Sequence, residues 1–163
     1  ELAGAPVADA ATAASREGVS FAPLLADPDR AWKAAAFSQY PRCLNSTMGL
    51  APPYLATRDP CTGVPANEFT HMGLAMRTEL WRYVEWHPWR CTSAAEDCTA
   101  EGALVWNETS AVELYAHPAE DDGSCFDCFE FANVADDPEQ AETVAALHAQ
   151  LIAGWRGALP PAA

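Results

Sequence analysis

Hydrophobic and polar positions alternate most clearly in the middle of the chain. His71-Met72-Gly73-Leu74-Ala75-Met76-Arg77 and Trp81-Arg82-Tyr83-Val84-Glu85-Trp86 are two strand-like runs joined by Thr78-Glu79-Leu80. In the second run Trp81, Tyr83 and Glu85 share one face and Arg82, Val84 and Trp86 the other, because successive strand side chains point to opposite faces. Two such runs with a three-residue link predict a β-hairpin, and a link without glycine leaves its turn type open. Ala34-Ala35-Ala36-Phe37-Ser38-Gln39-Tyr40 reads as a buried strand ending at Pro41. Alanine propensity would allow a helix there, but the short run and the proline stop favour the strand. Val112-Glu113-Leu114-Tyr115 reads as a further short strand. Val144, Leu147, Leu151 and Trp155 recur at helical spacing, so one face of that segment packs on something. Asp136-Asp137-Pro138-Glu139 supplies the helix start, and Gly157 and Pro160-Pro161 the stop, predicting a helix over about 137–156. Several antiparallel strands with one closing helix predict an α+β fold.

The rest of the chain is punctuated by turn signals. Residues 1–18 are alanine-rich and read as the end of a helix followed by a loop. Gly18 to Leu25 is an apolar patch in which Pro23 disfavours a strand, so a turn and a short helical piece are expected. Residues 43–68 look like a long loop, with Pro52-Pro53, Asp59-Pro60 and Gly63, and 87–111 like a surface excursion. Residues 117–130 are acidic. The chain has 163 residues, enough for one domain, and half of them are hydrophobic, enough for a core. Glu1-Leu2-Ala3-Gly4 shows no basic or apolar leader pattern, which reads as a piece of a longer protein or a processed chain.

Charge and cysteine usage narrow the setting. The net charge is −14, yet seven of the nine basic residues fall between 30 and 90, and six of those seven are arginine. An ordinary solvated face with ion pairs explains this. The sharper reading is that the segment borders a site for an anion such as sulfate or carboxylate, which the planar guanidinium suits. So acidic a chain without a recognition motif argues against nucleic acid as a partner. No run approaches the ~20 apolar residues a membrane span requires. The six cysteines, Cys43, Cys61, Cys91, Cys98, Cys125 and Cys128, lie in polar, turn-rich surroundings suited to disulfides. Local pairs Cys43–Cys61, Cys91–Cys98 and Cys125–Cys128 are one of fifteen possible connectivities. Acidic neighbours of Cys125-Phe126-Asp127-Cys128 disfavour a redox thiolate, and no second ligand pair favours zinc. Two glycosylation triplets, at Asn45 and Asn107, join the cysteines in pointing to the secretory pathway, lysosomal or extracellular.

Several stretches then resemble one family in the same order. Ala36-Phe37-Ser38-Gln39-Tyr40-Pro41-Arg42 is similar to the strand-and-exit segment of iduronate-2-sulfatase-type sulfatases. Met72-Gly73-Leu74-Ala75-Met76-Arg77-Thr78 followed by Trp81-Arg82-Tyr83-Val84-Glu85-Trp86 resembles that family's Met-Gly-Tyr-Ser-x-Arg-Thr and Tyr-Arg-Tyr-Thr-x-Trp. Glu113-Leu114-Tyr115, His117-Pro118 and Asn133-Val134-Ala135 resemble its Glu-Leu-Tyr-Asp, Asp-Pro and Asn-Leu-Ala run. Leu2 to Val7 and Gly18 to Leu25 look like the stretch before the family's C-terminal subdomain. The resemblance implies residues 1–29 as the tail of an alkaline-phosphatase-like α/β core and 30–163 as the C-terminal subdomain, an antiparallel sheet packed by a terminal helix. It implies a sulfuric ester hydrolase acting on sulfated glycosaminoglycans, with the N-terminal sulfatase core as partner, and with calcium and formylglycine as the parent enzyme's cofactors. This chain departs from that machinery. No cysteine begins Cys-x-Pro-x-Arg, no paired-aspartate strand or Asp-His-Gly loop is present, and Leu74-Ala75 stand where the family has Tyr-Ser. The chain alone is therefore expected to bind neither cofactor and to be inactive.

The residues expected to contact substrate are Gln39, Tyr40, Arg42, His71 and Trp86. Arg42 could grip a substrate carboxylate through two hydrogen bonds, or simply pair with an acid in the fold. His71 and His87 read more readily as satisfied structural histidines than as ligands. A sugar could stack on Trp86 or Trp89, although hairpin tryptophans more often serve a core. Glu120-Asp121-Asp122 could attract calcium but lacks EF-hand spacing. The competing readings are a disulfide-stapled secreted binding module and a sulfatase-like pseudoenzyme.

Overall fold

The third strand of the sheet organises everything else. A computed structural model describes residues 19–43, 61, 69–91, 102–117 and 130–160. Its elements are helix α1 (Ala22–Ala26), strands β1 (Ala36–Cys43), β2 (Phe69–Arg77), β3 (Trp81–Cys91), β4 (Gly102–Leu104) and β5 (Ala111–Ala116), a 3-10 turn (Pro138–Gln140) and helix α2 (Ala141–Gly157). All strand pairings are antiparallel. β3 pairs with β2 along one side and with β5 and β4 on the other, and β1 closes the far edge beyond β2. Thus the architecture is α+β, an antiparallel sheet with a C-terminal helix packed on it.

The hairpin forms where the alternation placed it. Thr78 closes it, its N–H donating to Trp81 O at 2.9 Å and its hydroxyl accepting from Trp81 N at 3.1 Å. A threonine hydroxyl thus serves the link where a glycine turn is lacking. The Arg77 guanidinium donates to the carbonyls of Thr78 and Glu79, holding the link from beneath.

Alternation then sorts the two faces. Met76, Tyr83 and Leu114 are buried and pack against Leu147 and Leu151 of α2, with Phe37, Leu74, Trp81, Val112 and Val144 around them. The helix start is as the sequence predicts, with Asp137 accepting from the Glu139 N–H at 2.9 Å and Pro138 in the first turn. Near its end, Gly154 adopts φ 65°, interrupting the helical dihedrals. That left-handed conformation favours glycine. Beyond it, Ala158 O accepts from Ala34 N at 3.2 Å, tying the helix exit to the chain entering β1.

Three expectations need correction. The segment at Ala34–Tyr40 is a strand, but it is an edge strand and mostly exposed rather than buried. It also runs through Pro41 to Cys43. An edge strand needs only one of its two hydrogen-bonding rows, so it tolerates a residue without an N–H. The region 87–111 is not wholly an excursion, since β3 continues to Cys91 and β4 pairs Trp89 with Leu104. Among the described residues of that region, 105–110 lie outside the strands. Between the Trp89–Leu104 and Trp86–Ala111 pairs, three steps along β3 face seven along its partner, and the surplus bulges outward. Val105 N donates to Pro88 O and Ser110 N to Trp86 O, anchoring both ends of the bulge.

The outer side of β5 is partly covered without a further strand. Asn133 Oδ1 accepts from Leu114 N, Asn133 Nδ2 donates to Val112 O, and Val134 N donates to Leu114 O. Side-chain amide and backbone together occupy part of the hydrogen-bonding row that an exposed edge would offer to another chain. Cys43 and Cys61 form a disulfide, Cα atoms 5.7 Å apart, as the local pairing anticipates. The side chains of the other two suggested pairs, Asn45, the 1–18 segment and Glu120-Asp121-Asp122 lie outside the described residues. Among the described residues no helix is long and apolar enough to cross a membrane.

Leu151→Ala should lower the unfolding free energy by about 2–5 kcal/mol, because it deletes a side chain wedged between helix and sheet. Denaturant titration reads this directly. A loss below about 1 kcal/mol would mean that the helix does not rest on this contact.

Candidate functional site

The sheet face opposite α2 carries a cluster of aromatic and charged side chains drawn from three strands. Tyr40 pairs across β1 and β2 with Gly73, which in turn pairs with Trp86 on β3. A Cβ on Gly73 would meet the Trp86 ring at 2.8 Å, so glycine lets the indole lie flat on β2. Arg42, two residues along from Tyr40, lies with its guanidinium 4.9 Å from the Trp86 ring centroid and 5.4 Å from that of Tyr40. Cation–ring attraction at these distances holds the guanidinium in place. The Trp86 indole N–H donates to Glu113 Oε1 at 2.7 Å, and the Tyr115 hydroxyl donates to Glu113 Oε2 at 3.0 Å. Burial and this carboxylate together push the Tyr115 hydroxyl above its ordinary pKa, so it remains a donor. A shallow cavity of about 220 Å³ opens among Tyr40, Arg42, Gly73, Val84, Trp86 and Glu113.

Four of the five expected contact residues belong to this face. Tyr40, Arg42 and Trp86 meet directly, and His71 is the cross-strand neighbour of Arg42. Gln39 is one residue out of phase and lies toward the helix side, at a cavity it lines with Phe37, Leu74 and Leu151. Trp89 packs at the far end of β3 against Phe69, ring centroids 5.9 Å apart. Among the described residues Arg42 lies against the Tyr40 and Trp86 rings. Arg82, which lines the same cavity, is engaged with an acid, Nε lying 2.6 Å from Glu130 Oε1. His117 Nε2 shares that same oxygen at 3.0 Å.

A second constellation lies on the helix face. Glu85 is 1 % exposed and His87 0 %. Glu85 Oε1 accepts from the Tyr83 hydroxyl and from His148 Nδ1, both at 2.6 Å, and Oε2 from His87 Nε2 at 2.8 Å. The other nitrogen of His87 lies 2.9 Å from Glu108 O. Each ring nitrogen of His87 therefore faces an oxygen, the Glu85 carboxylate on one side and the Glu108 carbonyl on the other. Burial raises the pKa of the Glu85 carboxyl, but donation from Tyr83, His148 and His87 outweighs it and leaves the group below its ordinary value. The Tyr83 hydroxyl is raised far above the usual tyrosine range, first by burial and then by Glu85.

Sequence reasoning named His87 as a structural histidine but missed the network around it. The signal was present: alternation puts Glu85 in phase with the core residues Tyr83 and Trp81, and His148 adjoins Leu147 on the helix. Glu113 was likewise passed over because Val112-Glu113-Leu114-Tyr115 reads simply as a strand. Among the described residues no group of three His, Cys, Asp or Glu side chains is arranged to hold a metal. The chain matches no protein-family model, no curated protein and no solved structure.

Glu85→Gln should cost about 3–5 kcal/mol near neutral pH, because it strands buried donors built for a charge. The sign of the pH effect follows from the depressed folded-state pKa. The stabilisation is complete above the ordinary value of 4.5 and is lost as pH falls from there through the lower folded value. The difference between wild type and variant should therefore shrink in acid, measured by denaturant titration from pH 7 to 3; parallel curves would contradict the assignment. Gly73→Ala should cost about 1–3 kcal/mol and alter the near-ultraviolet tryptophan signal, since the Trp86 ring must move.

Proposed function

We propose that this chain is the C-terminal subdomain of a sulfatase of the iduronate-2-sulfatase type, acting on sulfated uronic-acid glycans in the secretory pathway or lysosome. One observation carries the proposal. Residues from motifs far apart in sequence, Tyr40 and Arg42 in one and Gly73 and Trp86 in the other, meet in one open face. A guanidinium held beside two rings supplies the planar fork that matches a carboxylate or sulfate. The α+β architecture with a closing helix is compatible with the subdomain implied by the motif order. Asn133, part of the third motif, caps β5, which gives that motif a structural reason to recur.

The chemistry would come from elsewhere in the enzyme. Cys43 and Cys61 are bonded to each other and so are not available for conversion to formylglycine. The remaining cysteines lack the sequence context for it. By the same resemblance, the calcium ligands would lie upstream in the sulfatase core. The role assigned to this chain is therefore to orient an anionic glycan, with Arg42 on the acid group and Tyr40 and Trp86 beside the ring. The competing reading is a binding module stapled by the Cys43–Cys61 disulfide, which would use the same face without hydrolysis.

Arg42→Ala in the enzyme expressed from the complete open reading frame should raise KM for a sulfated uronic-acid disaccharide by about tenfold to a hundredfold, with kcat changed far less. Arg42→Lys should recover only part of the loss. The chain by itself should hydrolyse neither aryl nor glycan sulfates. Chelator-sensitive turnover by the chain alone, or glycan binding with no sulfatase activity in the complete protein, would overturn the proposal.

A further inference from the structure

The bulge at 105–110 presents one of the two glycosylation triplets in a specific pose. Asn107, Glu108 and Thr109 are all exposed. The central residue is held in place on three counts. Its N–H donates to Val105 O, its carbonyl faces His87 Nδ1, and its carboxylate takes two bonds from Arg90 at 2.9 and 2.7 Å. Anchoring Glu108 in this way leaves Asn107 and Thr109 exposed on either side of it. The residue before the triplet, Trp106, is 53 % exposed, unusual for so large an apolar side chain in an ordered turn. Part of its ring leans on His87, centroids 5.5 Å apart, so the indole lies over the buried Glu85–His87 pair.

We propose that Asn107 carries an N-linked glycan whose first sugar packs on the exposed side of Trp106. The apolar face of a pyranose suits an indole, and the contact would withdraw both from water. The inference rests on the secretory-pathway setting and not on sulfatase activity. In the transfer, the Asn107 amide nitrogen bonds to C1 of an oligosaccharide carried on a polyprenyl diphosphate. The C1–O bond breaks, the polyprenyl diphosphate departs with its electron pair, and the displaced amide proton goes to a base on the transferase. The third triplet position, Thr109, supplies the hydroxyl that the transferase requires.

The test is peptide mapping of the complete protein secreted from eukaryotic cells, with enzymatic release of N-glycans in heavy-oxygen water. Release converts a glycosylated Asn107 to a labelled aspartate. Labelling in most molecules is expected, and an unlabelled Asn107 would overturn the site. Thermal unfolding then tests the packing, in an Asn45→Gln background. Trimming to a single sugar should leave the midpoint unchanged, and complete removal should lower it by about 3 °C. In Trp106→Ala or Trp106→Phe, complete removal should have a smaller effect, smallest for alanine. An equal fall in both variants and in the parent protein would overturn the contact while leaving the sulfatase reading untouched.

Discussion

Everything on the helix side of the sheet converges on one carboxylate. Glu85 occupies a position that alternation reserves for the core, and an isolated charge there would be prohibitively costly. It persists because three side chains donate to it at once. Tyr83 and His87 come from the same strand, at two residues before and after, so β3 supplies both through its own period. The third donor, His148, comes from α2, and that bond fixes where along the sheet the helix sits. Hydrophobic packing by Leu147 and Leu151 is tolerant of small shifts, whereas a carboxylate oxygen is not. Through His87 the same network reaches Glu108 O and so fixes the bulge between β4 and β5. Sheet, helix and loop are thus registered against each other by a single buried group.

The opposite face follows another constraint. There the backbone of β2 must be bare at one point, Gly73, so that an indole from β3 can lie across it. Once Trp86 lies flat, its N–H reaches Glu113 on β5 and its ring offers a surface to Arg42 on β1. A small-residue gap in β2 therefore organises groups from β1, β3 and β5. The two faces are linked through β3, whose odd positions feed the buried carboxylate and whose even positions feed the aromatic face.

Much of this was legible from residue order. The hairpin, its facing residues and the helix start follow from period and turn chemistry, because those depend on neighbours in sequence. The helix face that packs also follows from period. What alternation cannot supply is the number of partners a strand will have. Ala34–Tyr40 reads as interior because its residues are small and apolar, yet an edge strand beside a helix can have the same composition. The β4 pairing was hidden for the same reason: Gly102-Ala103-Leu104 is too short to declare itself and exists because β3 offers an edge. Alternation puts Glu85 in phase with Tyr83 but does not say which side chains would offset its charge there. Those partners lie two residues away on the strand and sixty-three away on the helix, and only the latter distance defeats sequence reasoning.

The distribution of donors and acceptors also constrains what the aromatic face is suited to do. Both oxygens of Glu113 are engaged by neutral donors, from Trp86 and Tyr115, and the tyrosine's raised pKa keeps its proton. A carboxylate held this way is a poor general base, because taking a proton would break bonds it already has. Arg42 contributes a guanidinium, a donor-only group with no acceptor. The face is thus assembled from groups that hold shape and charge through a reaction rather than change protonation state during one. That is the character expected of a surface that orients an anionic sugar. It also agrees with the placement of the buried Glu85–His87 pair on the far side of the sheet, beneath Trp106, where it serves the fold.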